Sequence, residues 1–221
     1  MASILNISAY KFVELPDASD LRQALLDRAR SLQLKGTVLL AQEGINLFLA
    51  GPAQAVRHWV DDLRQDARFA DVCPKESWSD HQPFKRMLVK VKNEIIRMNE
   101  PTVRPQSERA PAIAPAVVKR WLDAGVDDSG REVVIVDTRN DFEVSHGGFR
   151  NAINWHIHKF SEFPQAVRDH ADELANRTVI TYCTGGIRCE KAALFMRDLG
   201  LSHVFQIDGG ILKSFEEVGT A

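Results

Sequence analysis

Cys183 stands in the run Tyr182-Cys183-Thr184-Gly185-Gly186-Ile187-Arg188-Cys189, where a β-branched and aromatic segment, 178–182, gives way to one rich in helix formers, 190–197. A thiol at such a strand-to-helix junction sits at the positive end of the helix dipole. Gly185 and Gly186 let the backbone between them curl so that successive N–H groups point inward, and Arg188 adds a fixed positive charge. The consequence is a lowered thiol pKa, with thiolate populated near neutral pH and a bound anion or sulfur adduct stabilised. Cys183 is therefore the candidate nucleophile, and Thr184, Gly185, Gly186, Ile187 and Arg188 form the candidate anion-binding loop.

Spacing separates the chemistries such a loop can serve. Arg188 is the fifth residue after Cys183, one position closer than in the Cys-x5-Arg loop that wraps phosphate in cysteine phosphatases, so this loop is smaller and suits sulfur. Cys189 falls in the first turn of the helix, either as packed core or as a resolving partner for a sulfenic or persulfide Cys183.

Other segments extend the pattern. The loop, the strand 133–139 ending in Asp137-Thr138-Arg139, the Glu143-Val144-Ser145-His146-Gly147 turn and the closing Phe205-Gln206-Ile207-Asp208-Gly209-Gly210 resemble, in order, the elements of rhodanese-like sulfurtransferase domains. Asp137 and Arg139 are expected to fix the turn after their strand, with a direct catalytic role as the alternative; His146 is expected to bond backbone. His156 and His158 have the spacing that puts two imidazoles on one side of a strand, but no third ligand accompanies them, and no metal site is expected.

The elements that must position these residues fall into two groups. Strands near Val133, Ile153, Val179 and Val204 alternate with helical segments, after a short helix over 115–124, which predicts a parallel sheet flanked by helices; ligands in such sheets bind beyond the carboxyl ends of the strands. The N-terminal part reads as strand 4–13, helix 18–32, a hairpin of 36–41 and 45–50 around Glu43-Gly44, a helix from Pro52 to about Gln65, and strands 73–78 and 87–91. These contain a β-α-β-β-α-β plan, a small antiparallel sheet backed by two helices, ferredoxin-like or acylphosphatase-like. Between them lies a stretch with Pro101, Pro105, Pro111 and Pro115 and no apolar periodicity, which reads as a linker. The expected division is an α+β domain at 1–98, a linker at 99–114 and an α/β rhodanese-like domain at 115–221.

Composition narrows the classes. The chain has 221 residues, 44% hydrophobic and 26% charged, with a formal net charge of −2. Disorder is excluded as its theme, and any nucleic-acid contact must come from a local patch. Between Lys85 and Arg104 stand Lys85, Arg86, Lys90, Lys92, Arg97 and Arg104 against Glu94 and Glu100. Arg86, Lys90 and Lys92 fall on one side of a strand whose other side presents Met87, Val89 and Val91; this is a solvated face or a surface for a phosphate backbone. Cys73, Cys183 and Cys189, with no signal peptide and no long apolar run, predict a reducing cytoplasm, no disulfide framework and no membrane.

With Gly36-Thr37-Val38-Leu39-Leu40-Ala41-Gln42-Glu43-Gly44-Ile45-Asn46 and Pro83-Phe84-Lys85-Arg86-Met87-Leu88-Val89-Lys90-Val91-Lys92 ahead of Tyr182-Cys183-Thr184-Gly185-Gly186-Ile187-Arg188-Cys189-Glu190-Lys191, nearly the whole chain resembles the bacterial tRNA uridine hydroxylase family. The resemblance implies oxygenation of the wobble uridine of tRNA, position 34, to 5-hydroxyuridine with molecular oxygen as co-substrate, and an essential residue at Cys183. It also implies a further cysteine-containing tail after the segment matching Gly209 to Val218. No flavin, haem or iron motif is visible, so no cofactor is expected, and the electron or sulfur donor is not legible. Two other readings stand beside this one: a thiosulfate or persulfide sulfurtransferase working through Cys183, and a catalytically silent module whose loop only recognises a partner.

Overall fold

The computed structural model describes residues 3–219. The chain divides into two compact units between Ile95 and Ile96.

In the first unit, burial alternates at the start of β1 (Ile4–Phe12) and along β2 (Lys35–Ala41), as a sheet with one covered face requires, whereas the central β3 (Gly44–Pro52) is buried except at Phe48 and Pro52. Leu5, Ile7, Val38, Leu40, Leu47 and Leu49 point into a core closed by α1 (Ala18–Ser31) and α2 (Ala53–Leu63). Val56, Trp59, Val60 and Leu63 recur at helical spacing and bury one stripe of α2. Pro52 ends β3 and caps that helix, so the first helical position belongs to Ala53.

With β4 (Lys75–Ser79) and β5 (Met87–Val91) the sheet order is β4-β1-β3-β2-β5. The first four strands have ferredoxin-like connectivity and pair antiparallel. The expectation of a wholly antiparallel sheet is corrected at the edge: β5 runs parallel to β2, Gly36 opposite Met87 and Leu40 opposite Val91. The sheet is mixed because residues 80–86 take the chain from the end of β4 to the far edge beyond β2, too few to return along the sheet as well, so β5 starts at the end where β4 finished and runs parallel to β2.

In the second unit, β6 (Ala112–Ile113), β7 (Val133–Asp137), β8 (Thr178–Tyr182) and β9 (Val204–Ile207) form a parallel sheet in the order β6-β9-β8-β7. Every residue of β8 is buried, as a central strand covered on both faces demands. Alternation along the strands feeds two cores. Val136 and Val179 face one core with Phe163 of α5 (Phe163–Asp169) and Phe195 of α7 (Ile187–Asp198). Ile135, Ile180 and Tyr182 face the other with Val118 of α3 (Pro115–Ala124) and Ile211 of α8 (Gly210–Val218). Two short helices, α4 (Asp141–Val144) and α6 (Ala171–Leu174), complete the unit.

Two expectations for this unit change. Ile153 makes only an isolated bridge to Val136, so the segment expected as a strand there is a loop. The fourth strand comes instead from the proline-rich stretch. Met98, Val103, Ala110 and Ile113 are buried in this unit, and the N–H groups of Gln206 and Asp208 donate to the carbonyls of Pro111 and Ile113. Residues 99–114 thus belong to the second unit and are no free tether. Their few apolar side chains, spaced without periodicity, fill gaps that exist only once the sheet has formed. Among the described residues, no helix is long and apolar enough to cross a membrane.

Candidate active site

Cys183 follows the last residue of β8, and α7 begins four residues later at Ile187. The sulfur therefore lies at the carboxyl end of a central parallel strand, beneath a helix N-terminus. Gly186 precedes the helix with φ 111°, a left-handed conformation that L side chains rarely adopt. That geometry turns its N–H onto the Cys183 sulfur at 3.1 Å, and the N–H groups of Arg188 and Cys189 also favour the ionised sulfur.

The loop is held from below. The carbonyl of Cys183 accepts from the N–H of Ile211 at 2.9 Å, and that of Tyr182 accepts from the backbone N–H and Oγ1 of Thr138, each at 2.9 Å. Gly210, with φ 68°, lets α8 approach this closely: a Cβ at that position would lie 2.5 Å from the Cys183 carbonyl oxygen.

Burial alone would push the Cys183 thiol up. The Cys189 S–H, the Arg188 charge and the backbone N–H groups outweigh it, and the thiol is held well below the ordinary thiol range. Cys189 moves the other way, pushed up by burial and then by its neighbour Cys183. The two sulfurs are 3.9 Å apart, and Cys189 Sγ also lies 2.9 Å from the Gly186 carbonyl and 3.6 Å from Gln206 Oε1. One sulfur is thus a ready thiolate and the other a reluctant one.

Arg188 is nearly buried, and Glu143 of α4 grips it with both carboxylate oxygens, at 2.5 and 2.6 Å. Glu143 also accepts from Thr184 Oγ1 at 2.9 Å and from the Asn140 N–H. Burial raises the Glu143 carboxyl, but the Arg188 guanidinium more than reverses this and keeps it below the usual carboxylate range. Arg188 therefore reaches Cys183 as a positive charge already partnered on its far side, rather than as a free anion hook at the mouth of the loop. Sequence reasoning treated Glu143 only as part of a turn; the available signal was an acidic residue in the first turn of a short helix, three positions ahead of His146.

Asp137 and Arg139 pair with each other at 2.6 Å in a second buried cluster. Tyr182 Oη donates to Asp137 Oδ2 at 2.5 Å, and Arg139 donates to the Gly147 carbonyl at 2.8 Å. Burial, and then the Asp137 carboxylate, push the Tyr182 phenol above its ordinary range, so it stays a donor. This cluster ties the end of β7 to the residue before Cys183, through the Tyr182 hydroxyl and not through the thiol.

The histidines lie elsewhere. His146 Nδ1 is 2.9 Å from the Phe142 carbonyl. His156 sits on a loop with φ 53° and pairs with Asp141, which corrects the expectation that it shares a strand face with His158. Among the described residues, no group of three or more His, Cys, Asp or Glu is arranged to hold a metal ion. Gln206, a further polar residue missed by sequence reasoning, is buried beside Cys189 and donates to the Ala110 carbonyl at 3.2 Å. In the first unit, Met87 and Val89 face the core while Arg86, Lys90 and Lys92 are exposed; Val91, expected to face the core, is exposed as well. Cys73 is exposed.

Family comparisons agree with this architecture. The family described as UPF0176 acylphosphatase like domain matches residues 4–95, and the Rhodanese-like domain family matches residues 116–216. A tRNA uridine(34) hydroxylase of Delftia acidovorans is 65% identical over 221 residues, covering 100% of this chain and 84% of the relative. One from Ralstonia nicotianae is 61% identical, covering 98% of this chain and 77% of the relative.

The chain belongs to the tRNA uridine(34) hydroxylase family.

Within that family its second unit is a rhodanese-like domain and its first an acylphosphatase-like one. Among solved structures, a rhodanese-like domain from Anabaena is 21% identical with a TM-score of 0.41, covering 49% of this chain and 76% of that one. A rhodanese-related protein from Thermoplasma volcanium is 25% identical with a TM-score of 0.37, covering 50% and 95%.

Proposed function

We propose that this chain hydroxylates C5 of uridine 34 in tRNA, with molecular oxygen as oxidant and Cys183 as the working residue. The observation that carries the reading is a buried thiol held well below its ordinary pKa in a chain that is 65% identical, over its 221 residues, to a tRNA uridine(34) hydroxylase.

The chemistry suits a thiolate. C5 of uridine is a poor nucleophile until C6 receives an electron pair. Addition of the Cys183 thiolate to C6 forms a C–S bond and moves charge onto C5 and O4, where positive dipoles stabilise it. Once C5 carries oxygen, loss of the C5 proton with expulsion of Cys183 restores the C5–C6 double bond. Overall, uridine, oxygen, two electrons and two protons give 5-hydroxyuridine and water. The substrate implies a cytoplasmic protein, and the exposed Arg86, Lys90 and Lys92 supply charge for the tRNA backbone. No cofactor enters this scheme.

Nucleoside analysis of tRNA from cells with and without the protein tests the reading. Loss of 5-hydroxyuridine derivatives at position 34, restored by the wild-type chain and not by Cys183→Ser, is the expected result. Unchanged modification in cells lacking the protein would overturn it.

The six-residue loop from Cys183 to Arg188, with N–H groups aimed at the sulfur, also suits a persulfide, which favours sulfur transfer as a second reading. Rapid thiosulfate turnover without tRNA affinity at moderate salt would select it.

A further inference from the structure

We infer that Cys183 and Cys189 together are the two-electron donor of the reaction, cycling between dithiol and disulfide. The inference rests on the hydroxylation reading above and supplies the electrons which that reading requires.

The geometry brings the pair together. Both side chains are fully buried, with sulfurs 3.9 Å apart. A disulfide needs about 2.05 Å, so the sulfurs must close by about 1.9 Å. Cys189 is placed for this by the first turn of α7, and its two nearest polar neighbours, the Gly186 carbonyl and Gln206 Oε1, are both acceptors. A core methyl or hydroxymethyl group would pack there without chemistry; a thiol facing a thiolate has a redox use.

Electrostatics gives the pair an order of events. While Cys183 is ionised, its charge holds Cys189 protonated. When the Cys183 charge is consumed, that obstacle disappears and Cys189 becomes the better nucleophile.

The balance closes without any other reductant in the turnover itself. Uridine, oxygen and two thiols give 5-hydroxyuridine, water and one disulfide. The C5–H bond, the O–O bond and two S–H bonds break; a C5–OH group, one water and one S–S bond form. While Cys183 is bonded to C6, the Cys189 sulfur takes the oxygen atom not retained by C5 as S–OH; the Cys183 thiolate expelled from C6 then displaces it as hydroxide, forming the S–S bond, and a proton converts the hydroxide to water. A cellular dithiol then returns the disulfide to two thiols by exchange.

A single turnover of the full chain decides the matter. Fully reduced protein, freed of added thiol, is mixed with tRNA under air, quenched with acid, alkylated with iodoacetamide in urea at pH 8 and analysed by peptide mass spectrometry and nucleoside analysis. One Cys183–Cys189 disulfide should appear per 5-hydroxyuridine formed, with Cys73 alkylated throughout. Cys189→Ser and Cys189→Ala should keep rapid alkylation of Cys183 at pH 8.5, which reports an intact loop, yet lose at least tenfold in product. Product formed by the wild-type chain while both thiols stay free would overturn the inference and leave hydroxylation standing. Absence of product from wild-type protein even with excess dithiothreitol would overturn hydroxylation itself, and the donor role with it.

Discussion

Glu143 grips Arg188 across 45 residues of sequence, through bonds of 2.5 and 2.6 Å that use both carboxylate oxygens and both terminal guanidinium nitrogens. The pair sets how much positive charge Cys183 feels. Because the Glu143 pKa is depressed in the folded chain, its contribution to stability is fully present above about pH 4.5, the ordinary carboxylate value, and is lost as pH falls through the lower folded value.

Replacing Glu143 with Gln should cost about 1–3 kcal/mol at pH 7, since a charged donor loses its charged partner in a half-buried setting. The difference from wild type should shrink in urea melts at pH 3. The same variant should speed alkylation of Cys183 at pH 5, because Arg188 is no longer countered. A variant as stable as wild type at pH 7 would show that the pair contributes nothing net.

Arg188→Ala should act in the opposite sense on the thiol. Removing the fixed charge raises the Cys183 pKa, and at pH 7 the alkylation rate should fall about tenfold for each unit by which that pKa comes to exceed 7, recovering as pH rises. Stopped-flow measurement with a neutral alkylating agent between pH 5 and 10 reads this directly. An unshifted profile would mean that backbone N–H groups and the Cys189 S–H alone hold the thiolate.

Gly210→Ala should damage the site from beneath. Its φ is 68°, and the new Cβ would meet the carbonyl oxygens of Cys183 and Thr184 at 2.5 and 2.8 Å. Gly200 has φ 93° with no atom near the position of a Cβ, so Gly200→Ala reports backbone strain alone, about 1 kcal/mol. Gly210→Ala should lose about 1–3 kcal/mol more than this control in denaturant melts, as overpacking does, and should slow Cys183 alkylation as well. Equal losses in the two variants would show that the loop adjusts freely.

Replacing Arg86, Lys90 and Lys92 together with Ser should weaken tRNA binding and reduce the slope of log affinity against log salt by about 0.7–0.9 for each lost phosphate contact. Met87 and Val89 keep the core face of the strand, so folding should be unaffected. The alkylation rate of Cys183 serves as the internal control. Wild-type affinity and slope in the triple variant would place the tRNA surface elsewhere.

The sequence by itself determined what local rules govern. A β-branched run, two glycines and a stretch of helix formers fix a strand, a tight loop and a helix within a few residues, so the place of Cys183 between β8 and α7 was legible before any tertiary contact was known. The same holds for α2, whose apolar stripe is written at helical spacing, and for the hairpin around Glu43-Gly44. Tertiary structure alone decided the partnerships between distant segments. Nothing near Arg188 announces Glu143, because that ion pair exists only when α4 and α7 meet above one end of the sheet. β5 reads as a strand, yet its direction depends on which edge the chain returns to. The proline-rich stretch lacks periodicity because it follows no regular backbone, and its burial comes from complementing surfaces that other segments create. The separation of Cys183 and Cys189 depends on how tightly Gly186 turns the chain into α7, a conformation glycine permits but does not compel.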